Sequence, residues 1–242
     1  MIRKSLFAAN FAKLFGAAAV ATTLCMAPSA QAGVLDFEGY ADNFVTDGEG
    51  VTVGNYYLET AGGGFALIGN NDSCTSDIAC PRNNATTYYM SAADSYTFLQ
   101  MDDGSLFKLA SIDASFFGFN GQSYPSVAGL LQVAAFSATN ALVGQVQLEL
   151  GGPVGGGFNF SRYDLTALGG GAEYSYLRFA SFACVVGSIN CDRTTNQAQF
   201  ALDNVVTVNA SDVPEPGSFA LMGLGMFGIA AAARRRKAAA GI

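Results

Sequence analysis

The residues of this chain with the clearest potential for chemistry are carboxylates near the two ends of its central region. Asp36 and Glu38 alternate with apolar residues, so in an extended strand both acidic side chains lie on one face. Asp203 comes far later, in the alternating segment 199–208. If the first and last strands pair, Asp203 lies near Asp36 or Glu38, and Ca²⁺ prefers such oxygen ligands. The pattern predicts a structural Ca²⁺ site; the alternative is that Asp203 and Asn204 only shape a strand end or a bulge.

The residue types present exclude several classes of enzyme. The sequence contains no histidine, which excludes Ser-His-Asp and Cys-His catalysis and every His-ligated metal centre. It has no Gly-x-Ser-x-Gly elbow, Walker loop or dinucleotide fingerprint. The glycine runs 62–64 and 155–157 open no helical pattern, so we assign them to hairpins or bulges. Two carboxylates suffice for glycoside hydrolysis, yet no particular pair stands out, and we expect a protein that is not an enzyme.

The N-terminal segment predicts export. Two basic residues near the start are followed by an apolar stretch at 14–26, and Ala30 and Ala32 form an A-x-A cleavage site. We expect signal peptidase to cut after Ala32, so that residues 1–32 are a signal peptide and Gly33 is the mature start.

The C-terminal tail, residues 213–237, combines three features in order. A Pro-Glu-Pro motif is followed by an apolar run and then by a basic cluster. The prolines keep the motif extended and out of any sheet. The run spans roughly 25 Å as a helix, slightly short of a ~30 Å hydrocarbon core. The motif residues are Val213, Pro214, Glu215 and Pro216, and the stop-transfer residues are Arg234, Arg235, Arg236 and Lys237. An ordinary tail anchor is the alternative.

Together these tail features resemble the PEP-CTERM sorting signal of Gram-negative bacteria. The resemblance implies that an exosortase-type membrane peptidase recognises the tail and cleaves near the motif. It also implies a protein exported across the inner membrane, anchored transiently through the C-terminal helix, and then released or held at the cell surface. Two segments, the Gln-Phe-x-x-Asp sequence at 199–203 and residues 107–113, resemble one subgroup of these proteins, the Gln-Phe-x-x-Asp type.

The central region, residues 33–212, has the length of one domain with its own core. Of the twelve basic residues, seven lie in the two terminal signals, whereas all nineteen acidic residues lie between 33 and 216. The formal charge of that span is therefore −14. Such a surface repels nucleic acid and other anionic polymers, so we expect no nucleic-acid partner.

Four cysteines remain once the signal peptide has been removed, and they form two closely spaced pairs. Cys74 lies near Cys80, and Cys184 lies near Cys191. In an oxidising compartment we expect these local pairs to form disulfides, although four cysteines allow three connectivities. The spacings do not suit a zinc site.

Alternation of polar and apolar residues predicts β-strands throughout the central region. In the last segment Phe200, Leu202, Val206 and Val208 should share one face, opposite Gln199, Asp203 and Thr207. Glycine-rich and Asp-Gly turns separate the strands, and no convincing amphipathic helix interrupts them. We predict an all-β, jelly-roll-like sandwich of about ten or eleven strands, flanked by the signal peptide and a single transmembrane sorting helix.

The placement of acidic residues at the two ends of the domain also resembles that in carbohydrate-binding jelly rolls. In those domains an early acidic residue and a late Asp hold Ca²⁺. Such modules stack sugar rings on exposed aromatic side chains. This chain has no tryptophan. The available tyrosines are Tyr56, Tyr57, Tyr88, Tyr89, Tyr124, Tyr174 and Tyr176. Neighbours in a strand point to opposite faces, so at most one of Tyr88 and Tyr89 faces a given ligand.

These observations predict an exported, exosortase-processed protein of the cell surface or extracellular matrix. The family resemblance implies an association with exopolysaccharide and biofilm. The alternative is a carbohydrate-binding module, and behind it a secreted hydrolase. The expected partners are exosortase, signal peptidase and exopolysaccharide, and membrane contact is transient.

Overall fold

A computed structural model describes residues 32–209 except 75, 188, 189 and 194. The predicted tail and signal peptide, apart from Ala32, lie outside the described residues, and so do Ala30, Val213–Pro216 and the Arg234–Lys237 cluster. The described part of the chain forms sixteen strands and two short 3-10 turns. It contains no helix long and apolar enough to cross a membrane.

The strands are β1 (Ala32–Leu35), β2 (Asn43–Thr46), β3 (Gly50–Val53), β4 (Tyr56–Ala61), β5 (Phe65–Gly69), β6 (Ile78–Ala79), β7 (Tyr88–Ala92), β8 (Tyr96–Met101), β9 (Phe107–Ser115), β10 (Gly118–Phe119), β11 (Val127–Phe136), β12 (Leu142–Gly151), β13 (Ser161–Asp164), β14 (Tyr176–Cys184), β15 (Cys191–Asp192) and β16 (Phe200–Asn209). Their pairing is antiparallel throughout. The two 3-10 turns cover Asn71–Ser73 and Leu168–Gly171.

Two seven-stranded sheets make up the fold. The first sheet has the order β13-β9-β16-β7-β5-β2, and β1 also pairs with β16. The second sheet has the order β12-β11-β14-β8-β4-β3, and β15 extends it beside β14. A separate two-stranded ribbon joins β6 and β10. The predicted β-sandwich is confirmed.

The two sheets pack face to face around one core that draws buried side chains from both. Tyr56 of the second sheet and Thr207 of the first are hydrogen-bonded at 2.7 Å between their hydroxyl oxygens. The Tyr89 hydroxyl lies 3.0 Å from that of Thr60 and 2.9 Å from that of Thr97, again between the sheets. Buried hydroxyls of this kind are stable only when paired, so these contacts fix how the sheets align.

The predicted pairing of the first and last strands is confirmed. Strand β1 runs antiparallel to the second half of β16, with Leu35 opposite Val205. The first half of β16 pairs instead with β7, through Phe200–Leu202. One edge of β16 therefore changes partner from β7 to β1 between residues 202 and 205.

A β-bulge lies at that change of partner, and it corrects the predicted alternation of β16. The register with β9 shifts between Asp203 and Val206, and Asn204 adopts a left-handed φ of 46°. The extra residue reverses which side chains face the core. Val205 and Thr207 are buried after the bulge, while Val206 is only partly buried. The prediction that Val206 and Val208 share a face with Phe200 and Leu202 is therefore wrong.

Candidate functional site

Asp203 lies buried at the bulge, where β16 changes partner. The side-chain amide of Asn84 donates to Asp203 Oδ2 at 2.7 Å, and the Thr86 hydroxyl donates to the same oxygen at 3.1 Å. The backbone N–H of Asn204 donates to Oδ1 at 2.7 Å. These bonds fasten the loop before β7 to the bulge, so Asp203 joins two segments that are distant in sequence.

Asp113 of β9 lies directly opposite Asp203. The Asn204 amide bridges the two carboxylates, at 2.9 Å from Asp113 Oδ2 and 3.3 Å from Asp203 Oδ2. Arg162 Nη1 lies 3.8 Å from Asp113 Oδ1. Burial raises the pKa of Asp203 above its ordinary value and the charge of Asp113 adds to the rise, while the hydrogen bonds to Asp203 oppose it.

The other two predicted calcium ligands have different partners. Asp36 Oδ1 accepts the backbone N–H of Glu38 at 3.2 Å. Glu38 Oε1 accepts the N–H of Thr87 at 3.1 Å, so it reaches the same loop that covers Asp203. Among the residues described, no three Cys, Asp or Glu side chains form a group able to hold a metal ion. The calcium site stays a prediction, and the contacts of Asp203 favour the bulge-forming alternative.

The structure contains the two local disulfides that the cysteine spacing predicts. Cys74 and Cys80 are joined with their Cα atoms 6.3 Å apart, and Cys184 and Cys191 with theirs 4.1 Å apart. The second bridge links β14 to β15 at the margin of the second sheet. The first closes a loop that packs on the outer side of the first sheet, where Cys74 and Cys80 contact a small apolar cluster.

Most of the tyrosines considered for sugar stacking are out of reach of a ligand. Four are buried, namely Tyr56, Tyr88, Tyr89 and Tyr174. As predicted, Tyr88 and Tyr89 point to opposite faces, since Tyr89 lies in the core and Tyr88 in the cluster outside the first sheet. Burial raises the pKa of Tyr89 to about 12. Tyr124 packs edge-on against two phenylalanines, which leaves Tyr57 and Tyr176.

Both of these tyrosines lie on the outward side of the second sheet, which carries the largest set of partly exposed aromatic side chains. We call this surface the open face; it consists of Tyr57, Tyr96, Phe98, Phe136, Tyr176, Phe182, Arg178 and Arg193. The residues between them on the same strands, such as Leu177 and Phe179, are buried in the core. Alternation along β8 and along the first four residues of β14, from Tyr176 to Phe179, therefore separates a core side from the open face.

The register of the strands sets the aromatic rings of the open face side by side. Phe136, Tyr176 and Gln100 form one row across three strands, and Arg178 and Phe98 are neighbours in the next row. The rings of Phe136 and Tyr176 stack with centroids 5.0 Å apart and an interplanar angle of 9°. Phe98 meets Tyr176 edge-on at 6.0 Å. The result is a patch of adjoining aromatic surface.

Two arginines lie against this aromatic patch. The guanidinium carbon of Arg193 lies 3.5 Å from the centre of the Tyr96 ring, and that of Arg178 lies 5.4 Å from the same ring. Arg178 Nη2 donates to Gln132 Oε1 at 3.3 Å. The buried Nε of each arginine finds no hydrogen-bond partner among the described residues. Stacking on aromatic rings orients both guanidinium groups.

The open face combines what recognition of a polyhydroxylated ligand needs. Flat apolar rings offer contact area to C–H groups, and guanidinium and amide groups donate hydrogen bonds to hydroxyl oxygens. Aromatic side chains supply this area at low cost in conformational entropy. Sequence reasoning identified Tyr57 and Tyr176 but missed Tyr96, Phe98, Phe136, Phe182 and the two arginines. The alternation of large residues in Tyr96–Met101 was the available signal, since both faces of that strand carry apolar groups.

Comparison with protein-family models matches residues 212–237 to the PEP-CTERM protein-sorting motif. The chain carries a PEP-CTERM sorting motif. This motif is a sorting signal recognised by exosortase, and it indicates export, a transient membrane anchor and an extracellular or cell-surface fate. The predicted resemblance of the tail is thereby confirmed, whereas its assignment to the Gln-Phe-x-x-Asp subgroup is not.

Comparison with solved structures finds several chains that align with the central region. A DUF4465 family protein from Bacteroides caccae aligns with a TM-score of 0.52 and 10% identity, over 74% of this chain and 99% of that chain. An arabinose-bound α-L-arabinofuranosidase gives 0.42 and 10%, over 72% of this chain and 25% of that chain. The CBM22-2 xylan-binding domain of a Paenibacillus barcinonensis protein gives 0.36 and 12%, over 74% and 99%. The first likeness shows the fold alone. A search of curated proteins finds no match.

Proposed function

We propose that this protein is exported, cut by an exosortase at its PEP-CTERM tail, and then binds polysaccharide through the open face at the cell surface or in the extracellular matrix of a biofilm. The observation that carries the proposal is the group of adjoining aromatic rings with two arginines stacked on it. Each of these rings is partly exposed, so part of its surface is available to a ligand.

A neutral polysaccharide fits this domain better than a charged one. The span from 33 to 216 has a formal charge of −14, which repels a polyanion over about a Debye length of 8–10 Å. The arginines then serve as hydrogen-bond donors to hydroxyl groups rather than as ion-pair partners. Glu59, beside Phe98 in the register of β4 with β8, adds an acceptor for the same hydroxyls.

A dedicated carbohydrate-binding module with one discrete ligand is the second candidate, and the same open face favours it. A glycan array separates the two, because a matrix component need show no preference for one short oligosaccharide. We propose no hydrolase activity. Of the carboxylates described above, Asp113 and Asp203 lie closest together. Asp203 is only 1% exposed.

Affinity electrophoresis tests the proposal, with the mature domain migrating through gels that contain polysaccharide from its native host. The wild type should be retarded. Phe98→Ala and Tyr176→Ala each remove one ring of the patch, and we expect binding to weaken about tenfold, or ~1.4 kcal/mol.

Phe44→Ala is the matched control, since Phe44 is 58% exposed but lies on β2 of the other sheet. It should migrate like the wild type. The proposal fails if the wild type is not retarded, or if Phe98→Ala and Tyr176→Ala are retarded as strongly as the wild type.

A further inference from the structure

Arg193 reaches the open face from the segment that leads from β15 to β16, residues 193–199. This segment is held at both of its ends. At its start, β15 pairs with β14 and the Cys184–Cys191 disulfide joins the same two strands. Towards its end, the segment lies against Asp94, in the turn between β7 and β8. The position of Arg193 over Tyr96 therefore depends on these two attachments.

Asp94 binds the segment through both its side chain and its backbone. Its Oδ2 accepts the backbone N–H of Asn196 at 2.9 Å, and its Oδ1 accepts that of Ala198 at 2.9 Å. The Asp94 N–H donates to the Ala198 carbonyl oxygen at 3.2 Å. Arg193 Nη2 donates to the carbonyl oxygen of Asp94. A single residue thus holds both the segment and the guanidinium group that it carries.

The turn that contains Asp94 has a backbone that favours other residues. Ala93 and Asp94 have left-handed φ angles of 56° and 60°, and the Ser95 N–H closes the turn by donating to the Ala92 carbonyl oxygen at 3.3 Å. Glycine occupies such positions without a steric cost, whereas alanine is disfavoured there. Left-handed residues other than glycine mark places where the surrounding structure imposes the conformation. Here both oxygens of the Asp94 carboxylate bond the 193–199 segment.

We infer that Asp94 is a positioning residue for ligand binding, because it holds Arg193 over Tyr96 with the guanidinium group ready to donate to a polysaccharide hydroxyl. This inference rests on the proposed function of the open face. A guanidinium group carries five N–H donors, and the bond to Asp94 uses one of them. A donor that is ordered before the ligand arrives loses less conformational entropy on binding. Without the Asp94 carboxylate, the ligand itself would have to order Arg193.

NMR of the mature domain tests the position of Arg193 without any ligand. The Arg193 guanidinium carbon lies 3.5 Å from the centre of the Tyr96 ring, so the ring should shift the Arg193 side-chain signals upfield. Asp94→Gly suits the left-handed turn but removes the carboxylate, and the signals should move toward those of a solvated arginine. Signals that stay upfield in this variant would overturn the inference. If it does not fold, Asp94→Asn decides in its place, since an amide has only one accepting oxygen.

Affinity electrophoresis in polysaccharide from the native host measures the consequence for binding. Asp94→Gly and Arg193→Gln should each bind about tenfold more weakly than the wild type. The double variant should bind no more weakly than Arg193→Gln alone, because Asp94 acts through Arg193. A double variant that binds much more weakly than Arg193→Gln would show that Asp94 acts by another route, and would overturn the inference.

Ala93→Gly is the matched control in the same turn. It removes a Cβ from a left-handed residue and leaves the Asp94 carboxylate in place, so it should keep both the upfield Arg193 signals and the binding of the wild type. Loss of both in Ala93→Gly would assign the effect to the turn rather than to the carboxylate. A wild type that is not retarded would refute the polysaccharide proposal instead, and the Arg193 signals of Asp94→Gly would still decide whether Asp94 positions Arg193.

Discussion

The carboxylate of Asp203 accepts four hydrogen bonds and is almost inaccessible to water. The donors come from the loop before β7 and from Asn204, so one side chain joins the bulge to that loop. Asp113 lies opposite, and the pair would repel if both were charged without the bridging Asn204 amide. These hydrogen bonds give Asp203 a structural role that requires no metal.

The raised pKa of Asp203 predicts how its contribution to stability changes with pH. In the folded state the proton binds more tightly than in the unfolded chain, so the contribution is full below the ordinary value of 3.8 and is lost as the pH rises through the folded pKa. We expect the free energy of unfolding of the wild type, relative to Asp203→Asn, to fall with rising pH. Urea denaturation at several pH values measures it.

Asp103→Asn is the control of opposite sign. The pKa of exposed Asp103 is lowered by the hydrogen bond from the Ser105 N–H. The stability of the wild type relative to this variant should therefore rise with pH. A difference between wild type and Asp203→Asn that does not vary with pH would contradict the burial argument.

The predicted calcium site makes a separate claim about the same residue. A ligand bound only by the folded state at a hundredfold excess over its Kd stabilises that state by about 2.7 kcal/mol. Calcium should then raise the Tm of the wild type by several degrees, and Asp203→Ala should abolish the rise, while exposed Asp164→Ala should keep it. A wild-type melting curve that chelator leaves unchanged would show that Asp203 serves the bulge alone.

At the scale of elements, the bulge in β16 decides how the last strand meets two different neighbours. It moves Thr207 to the core, where its hydroxyl bonds Tyr56 of the other sheet. It also leaves Asp203 free to accept hydrogen bonds from the loop before β7, while the Asn204 amide bonds Asp113 of β9. The left-handed φ of Asn204 is what allows the extra residue to fit.

Two substitutions at Asn204 should separate backbone strain from the side-chain bonds. Asn204→Gly and Asn204→Ala both lose the bridge to Asp113, but only alanine carries a Cβ in the left-handed region. We expect Asn204→Ala to be less stable than Asn204→Gly by about 1 kcal/mol, and both to be less stable than the wild type, in urea denaturation. If alanine is the more stable of the two, the bulge is not held by the left-handed conformation.

Local patterns in the sequence predict much of the sheet structure. They fail where the orientation of side chains depends on which strands are neighbours. Alternation predicts correctly that Leu35 and Phe37 are buried and that Asp36 and Glu38 are exposed. It is wrong in extending the first strand over them, because β1 ends at Leu35 and Phe37 adopts a left-handed φ of 60°. It fails after Asp203, because the bulge adds a residue there and shifts the two-residue period. Asp203 and Asn204 signal a possible bulge in the sequence, but alternation alone does not decide between the bulge and a regular strand. Short strands such as β2 and β15 also escape prediction, since four or two residues carry no period.

The open face was harder to predict than the fold. Its rings come from β4, β8, β11 and β14, which lie side by side only because the second sheet has the order β11-β14-β8-β4. The order of these strands in the sheet is not evident from the sequence. Arg193 lies outside every strand, and its position over Tyr96 follows from the link between β14 and β15. By contrast, the close spacing of the cysteines predicts both disulfides.

At the scale of the whole molecule, the two outer surfaces of the sandwich differ. The disulfide loop of Cys74–Cys80 and the β6–β10 ribbon pack on the outer side of the first sheet. The open face of the second sheet keeps its aromatic side chains partly exposed. Such an asymmetry is expected of a domain that presents one side to a partner.

The sorting motif predicts a definite mass for the protein recovered from its native host. Signal peptidase should leave Gly33 as the first residue, and exosortase should remove the Arg234–Lys237 cluster. Intact-mass spectrometry of surface-released material measures both ends together. Peptides from the basic cluster in that material would contradict processing at the PEP-CTERM motif, and substitution of Pro214 and Pro216 by alanine should make them appear.

The most direct test of the account is the retention of the mature protein in the extracellular matrix of its native host. Quantitative immunoblotting of matrix and medium should find the wild type, and the Phe44→Ala control, mainly in the matrix. A Phe98→Ala, Arg178→Gln variant, processed at both ends like the wild type, should move to the medium. An unchanged distribution of that variant would contradict the claim that the open face binds matrix polysaccharide.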